Sequence, residues 1–236
     1  MTWLPEFLAA ALASILAITL HEAAHGYAAL WLGDPTAKQA GRLSLNPIRH
    51  IDPVGTILLP AVLVVGQLLT LGRIEFMFGW AKPVPVNAML LWRSPRRSAR
   101  LGMALVAAAG PLMNFFLAWA SGLLAHPAGA LDGWLSPDSV AWVYRFIGLS
   151  ILANLVLGMF NLLPIPPLDG GRIMAGVLPA PLAWRFMQLE RWGILIVLLG
   201  VFILPRVVPG VDPVGWALRH VVSAAFQAVL WASGNV

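Results

Sequence analysis

His21-Glu22-Ala23-Ala24-His25 is the part of this sequence most able to do chemistry. Side chains four apart lie one above the other on a helix, so both imidazoles can reach a single metal ion. The glutamate beside the first histidine can then serve as general base on a metal-bound water. These three are the only acidic or basic side chains between Phe7 and Leu32. A charged residue at the centre of a bilayer costs about 2.5–3.5 kcal/mol on insertion scales. A purely structural helix would not carry three ionisable groups without compensation, and a divalent cation supplies it.

The rest of the composition places that helix in a membrane. Of 236 residues, 59% are hydrophobic and only 11% are charged, against roughly 25% charged in soluble domains. Mean hydropathy is +0.81. The expected fold is an all-α polytopic membrane protein. It should have about four to six membrane helices and a small membrane-associated strand or re-entrant region. Residues 1–236 read as one integral-membrane domain, with a core at 7–172 and C-terminal helices at 190–232. Within them no polar run is long enough for a soluble module. The net charge of +5 comes from thirteen arginines and two lysines against ten acids. They sit in short loops and form no groove-sized patch, so no nucleic-acid partner is expected. Cysteine is absent, which excludes disulfides, thiolate metal sites and a cysteine nucleophile. Met1 to Glu6 has no basic residue, and the first apolar run outlasts a signal peptide, so it reads as a retained span.

Several elements must position the histidines. Phe7–Leu32 predicts a helix of about 39 Å, ended by Gly33-Asp34-Pro35. The metal should then lie roughly 10 Å below that end. The loop from Thr36 to Asp52 alternates at Gly41-Arg42-Leu43-Ser44-Leu45, which allows a short strand. Pro53–Leu71 is apolar but interrupted, and a re-entrant hairpin is expected there, with a full crossing and return as the competitor. Phe78 to Asn87 reads as extended chain, its prolines two apart leaving one edge free. Spans follow at Leu101–Ala125 and Val140–Leu163, then a shorter apolar run at Trp192–Leu204. Val214–Trp231 has an interrupted apolar face and is expected along the interface. The basic loop at 36–52 and the cluster Arg93, Arg96, Arg97 and Arg100 should face the cytoplasm. The loop from His126 to Ser139 carries only Asp132 and Asp138 and should face the other side. His50, His126 and His220 read as loop or interface histidines, and His50 has a second reading as a group at the mouth of the site.

A catalytic zinc keeps three protein ligands and one open position. Asp169 is the natural third ligand. It sits in a proline-rich helix break followed by Gly170 and Gly171, and irregular backbone at membrane depth is tolerated where it lines a cavity. Asp169 can equally cap the helix that starts there.

Three segments occur in order: His21 to His25, Gly110-Pro111-Leu112-Met113-Asn114, and Asn161-Leu162-Leu163-Pro164-Ile165-Pro166-Pro167-Leu168-Asp169-Gly170. Together they resemble the signature segments of the site-2 protease family of intramembrane zinc metalloproteases, and most closely its compact branch without PDZ or CBS domains. The resemblance implies one zinc per chain, held by His21, His25 and Asp169, with Glu22 as base and later acid. It implies that Asn161 helps hold substrate or the oxyanion, that Asn114 lines the same cleft, and that Pro167 shapes the ligand turn. The expected partners are a single-pass membrane protein as substrate and the surrounding lipid. The expected place is a prokaryotic inner membrane, with the site toward the cytoplasm.

A helical substrate must unwind before cleavage, and its freed amides need partners. Lys82 to Asn87, with Val84, Val86 and Asn87 at its centre, or Arg42 to Leu45, is expected to offer an edge. Two other functions share parts of this pattern. A membrane zinc hydrolase of a non-peptide substrate would keep the triad without needing a platform. A metal transporter would use the triad for transit, but gives no reason for Glu22 and usually shows repeated halves.

Overall fold

In the computed structural model, residues 3–72, 79–91, 98–131, 133–208 and 210–235 are described. Phe78, Arg93, Arg96, Arg97 and Asp132 lie outside them.

Eight main helices carry the architecture. They are α1 (Trp3–Trp31), α2 (Leu59–Leu71, continuing a wide turn at Pro53–Leu58), α3 (Ala99–Leu123), and α4 (Pro137–Asn161). The rest are α5 (Asp169–Val177), α6 (Ala180–Met187), α7 (Glu190–Leu198, running on to Val207) and α8 (Ser223–Ala232, after two turns from Pro213). Four stretches are long and apolar enough to cross a bilayer: Pro5–Trp31, Pro53–Thr70, Ala99–Leu131 and Pro137–Asn161. Their outer faces carry large apolar residues such as Leu8, Leu12, Ile15 and Phe116. The chain is an integral membrane protein, all-helical among the described residues.

Small residues decide how closely the helices approach. Along α1 every fourth side chain is buried: Ala9, Ala13, Ala17, His21, His25 and Ala29. Lipid offers no hydrophobic gain for burying a larger side chain between helices, so short ones that admit close contact dominate such seams. The two histidines continue this alanine ridge. Facing it, α3 buries Ala107, Gly110, Pro111, Asn114 and Ala118. α3 runs antiparallel to α1, since His25 meets Val106 and Ala17 meets Asn114. α4 runs parallel to α1, its Trp142 donating to the Pro5 carbonyl at 3.0 Å. The seam among α1, α3 and α4 is the core of the molecule, and α5 packs against α3.

The region before α3 differs from expectation in two ways. No strand occurs among the described residues. The 41–45 and 79–87 segments find partners other than a β-ladder: Lys82 N–H donates to His50 O (2.9 Å), and Arg42 Nη2 donates to Lys82 O (2.8 Å). Pro83 and Pro85 have no N–H to give a ladder. The hairpin expected within 53–71 is instead one helical rod. Pro60 follows the wide turn at Pro53–Leu58, where the Leu59 N–H bonds five residues back to Val54 O. Gln67 and Thr70 bond back to the carbonyls four residues earlier. The chain returns afterwards, and Trp80 N–H reaches Gly55 O at 3.1 Å.

The stretch at 214–231, expected along the interface, packs one side against the bundle. Val222 joins Ala118, Ile147, Ile151 and Leu155 in one apolar cluster. Gly122 admits Ser233 against α3, and His126 Nε2 bonds Ser233 O at 2.6 Å.

Candidate metal centre

Each ligand side chain is delivered by a different local device. α1 presents His21 and His25 on one face, with His25 about 9 Å before the end at Trp31, from 1.5 Å per residue. Asp169 opens α5, after a turn whose Pro166–Pro167 bond is cis. Gly170 and Gly171 let that turn fold onto its own backbone. A Cβ on Gly170 would collide with the Leu162 and Leu163 carbonyls, and one on Gly171 would lie 2.5 Å from Pro166 N. Gly193 of α7 braces the turn from outside, against Pro166 and Pro167.

The three residues converge. His21 Nε2 and His25 Nε2 are 3.0 Å apart. Asp169 Oδ2 lies 3.1 Å from the first and 3.3 Å from the second. Ligands about 2.0–2.1 Å from a tetrahedral zinc lie roughly 3.3 Å from each other, so the spacing suits that ion.

Hydrogen bonding says which atoms face the gap. His21 Nδ1 is 2.6 Å from Asn114 Oδ1, and His25 Nδ1 is 2.7 Å from Val106 O. Both partners only accept, so each ring carries its proton on Nδ1. Both Nε2 atoms therefore turn lone pairs inward. Among the described residues, buried Asp169 Oδ2 has no hydrogen bond although it touches both rings. Three lone-pair atoms crowded together without a donor repel one another and call for a cation. Gly110 of α3 leaves the space. A Cβ there would stand 2.5 Å from His25 Nε2 and 2.6 Å from His21 Nε2. The donor set, the orphaned oxygen and the glycine all fit a zinc ion.

The other expected site residues are placed as follows. Glu22 accepts a hydrogen bond from the Val84 amide at 3.1 Å. Gly26 allows this approach, since Leu43 and Val84 pack where its Cβ would be. Val84 is buried, Val86 half-buried and Asn87 exposed. Asn87 N–H is held by Asp34 Oδ2 at 2.6 Å. Pro167 is half-buried beside Gly193. Asn161 ends α4 and donates Nδ2 to Leu157 O at 3.0 Å. Asn114, expected in a cleft, is fully buried behind His21. His50, expected in a loop or interface, is buried and bonds Ser44 O, away from the triad.

Sequence reasoning missed Asn154, which accepts from Asn114 Nδ2 at 2.9 Å. An amide inside an apolar span was the available signal. Gly110 was read as part of a motif and not as the space-maker it is.

Comparison with known proteins agrees with this geometry. Residues 121–202, which include Asp169, match Peptidase family M50. The chain is 38% identical over 223 residues to YwhC of Bacillus subtilis (strain 168), named as a candidate zinc metalloprotease, covering 92% of this chain and 91% of that one. It is 30% identical over 186 residues to the similarly named Rip2 of Mycolicibacterium smegmatis, covering 78% of this chain and 63% of that protein. Rip2 of Mycobacterium tuberculosis (strain H37Rv) is 29% identical over 197 residues, or 81% of this chain and 65% of that one. No solved structure matches. With a paired-histidine helix, a distant aspartate and a relative aligned along nearly its whole length, the chain belongs to peptidase family M50, the site-2 protease family, and is a membrane zinc metalloprotease.

Proposed function

We propose that this chain hydrolyses a peptide bond in or beside the transmembrane segment of a single-pass membrane protein. One observation carries the reading: three ligand atoms with free lone pairs meet within 4.8 Å inside a bundle of membrane helices. In the proposed site His21, His25 and Asp169 hold one zinc per chain. When bound, zinc supplies a Lewis acid that acidifies water and polarises a carbonyl.

The chain's own groups do the rest. Glu22 takes one proton as water oxygen bonds to the scissile carbon. It gives that proton to the amine as the carbon–nitrogen bond breaks. The Val84 amide orients the Glu22 carboxylate for both transfers. Asn161 donates its second amide hydrogen to the developing oxyanion. Pro167 holds the Asp169 turn at the edge of the substrate path.

Val86 gives the unwound substrate a backbone partner. Among the described residues nothing engages its N–H, whereas the amides of Lys82, Val84 and Asn87 are bonded. Substrate would add along Val84 to Asn87 through Val86 and the adjacent carbonyls. Lys38 and Arg49 near this end, with bacterial relatives, support a cytoplasmic-facing site in a prokaryotic inner membrane.

The test compares wild type with Glu22→Gln in membranes. The variant should keep its zinc by elemental analysis and lose about 10²–10⁴-fold of cleavage of a reporter transmembrane segment. Membrane proteomics should show a single-pass protein accumulating only in the variant. Undiminished cleavage by the variant rejects the assignment.

A further inference from the structure

Two asparagines lie buried side by side among apolar helices, Asn114 on α3 and Asn154 on α4. Buried amides in membrane helices are functional by default when every atom is committed. Here the commitments run in one direction. Asn154 Nδ2 lies 2.9 Å from Ser150 O, a carbonyl that can only accept. That fixes which end of the Asn154 amide faces its own helix and turns Oδ1 outward. Asn154 Oδ1 is 2.9 Å from Asn114, which must therefore present its nitrogen. The Ala17 carbonyl, 3.4 Å from the same nitrogen, favours the same orientation. Asn114 Oδ1 is then left facing His21 Nδ1 at 2.6 Å.

We propose that Asn154 is a positioning residue for the metal ligand His21, acting through Asn114. It holds the Asn114 amide with its oxygen toward the ring, and so keeps the His21 proton on Nδ1 and the Nε2 lone pair on the ion. The order of bonds begins at a helix backbone, so the ring's tautomer is set by the fold before any ion arrives. If Asn114 turned over, it would offer N–H to Nδ1, and the ring would answer by carrying its proton on Nε2. A ring protonated there cannot ligate. This rests on the zinc reading of the site, and the test separates the two.

The full-length protein is purified in detergent, and zinc affinity is measured by competition with a fluorescent chelator. Asn154→Leu fills the space but cannot accept a hydrogen bond. It should weaken zinc binding 10–100-fold, the range for lost outer-shell partners. Asn154→Asp still accepts from Asn114, and its protonated oxygen can donate to Ser150 O. It should bind zinc within a few-fold of wild type. Nitrogen-15 NMR of metal-free protein labelled at histidine should place the His21 proton on Nδ1 in wild type and Asn154→Asp, with an Nε2–H population appearing in Asn154→Leu.

Wild-type affinity in Asn154→Leu overturns the proposal, and so does equal damage in both variants. A wild-type His21 proton on Nε2 overturns it even if neither variant folds. Separately, His21→Ala that binds zinc as tightly as wild type would sink the metal-site reading itself.

Discussion

The two sides of the ligand cluster are built on different principles. Behind it, between α3 and α4, the groups are short, buried and bonded in sequence: Asn114 and the Val106 carbonyl meet the rings, and Asn154 meets Asn114. In front of it, the 41–52 and 79–91 segments are held by single bonds from scattered sources. Arg42 reaches Lys82 O, Asp34 takes the Asn87 amide, and Glu22 takes the Val84 amide. Arg42 Nε and His50 Nδ1 are buried there without hydrogen-bond partners among the described residues. A rear whose buried amides are bonded in a chain back to a helix carbonyl holds ligand geometry. A front pinned at a few points can exchange those bonds for a substrate's backbone. The contrast separates what keeps the ion from what handles the peptide.

Substitutions at the rear should therefore change metal binding, and those at the front should change turnover alone. The largest effect is expected from Gly110→Ala. The new methyl would press on both Nε2 atoms, so zinc content should fall to background and cleavage with it, as elemental analysis and a reporter assay would show. A Gly110→Ala protein carrying one zinc would break the contrast at its strongest point.

Val84→Pro comes next. It deletes the amide that orients Glu22 while leaving the triad untouched. A hydrogen bond to a charged group contributes about 1.5–3 kcal/mol, so kcat should drop roughly 10–100-fold with zinc fully retained. Loss of zinc in this variant would mean that front and rear are one unit.

Arg42→Leu should have the smallest effect. It releases one carbonyl of the 79–87 segment and removes a buried cation. KM for a transmembrane reporter should rise a few-fold, since one net hydrogen bond contributes about 1 kcal/mol. Zinc content and kcat should stay put, and an unchanged KM would show that the front is more rigid than its bonds imply.

The rear was only partly legible in the sequence. His21, Glu22, His25 and Asp169 could be read because helical spacing and a proline-broken turn are local facts. Asn154 could not. Its role depends on which residues of α3 and α4 lie level, and that register is set by packing of Gly158 against Asn114 and Phe115. The front was misread for the opposite reason. Alternation at 41–45 and paired prolines at 83 and 85 announce extended chain, but not the partner it bonds. Side chains of Arg42, Glu22 and Asp34 took the places that a neighbouring strand would have filled. A hairpin was expected at 53–71 because the basic loops on either side pointed to one face and Gly55, Pro60, Gly66 and Gln67 made the run marginal as a span. In the helix the Gln67 and Thr70 side chains bond back to the carbonyls of Leu63 and Gly66.

The alanine ridge on α1 bears on how the ligands are spaced. Methyl-sized contacts let three helices dock closely in lipid. The imidazoles are then carried into register simply because they occupy the next rungs of the same ladder. A seam of this kind ties the spacing of the ligands to helix packing in lipid, whereas a zinc finger takes its shape from its metal.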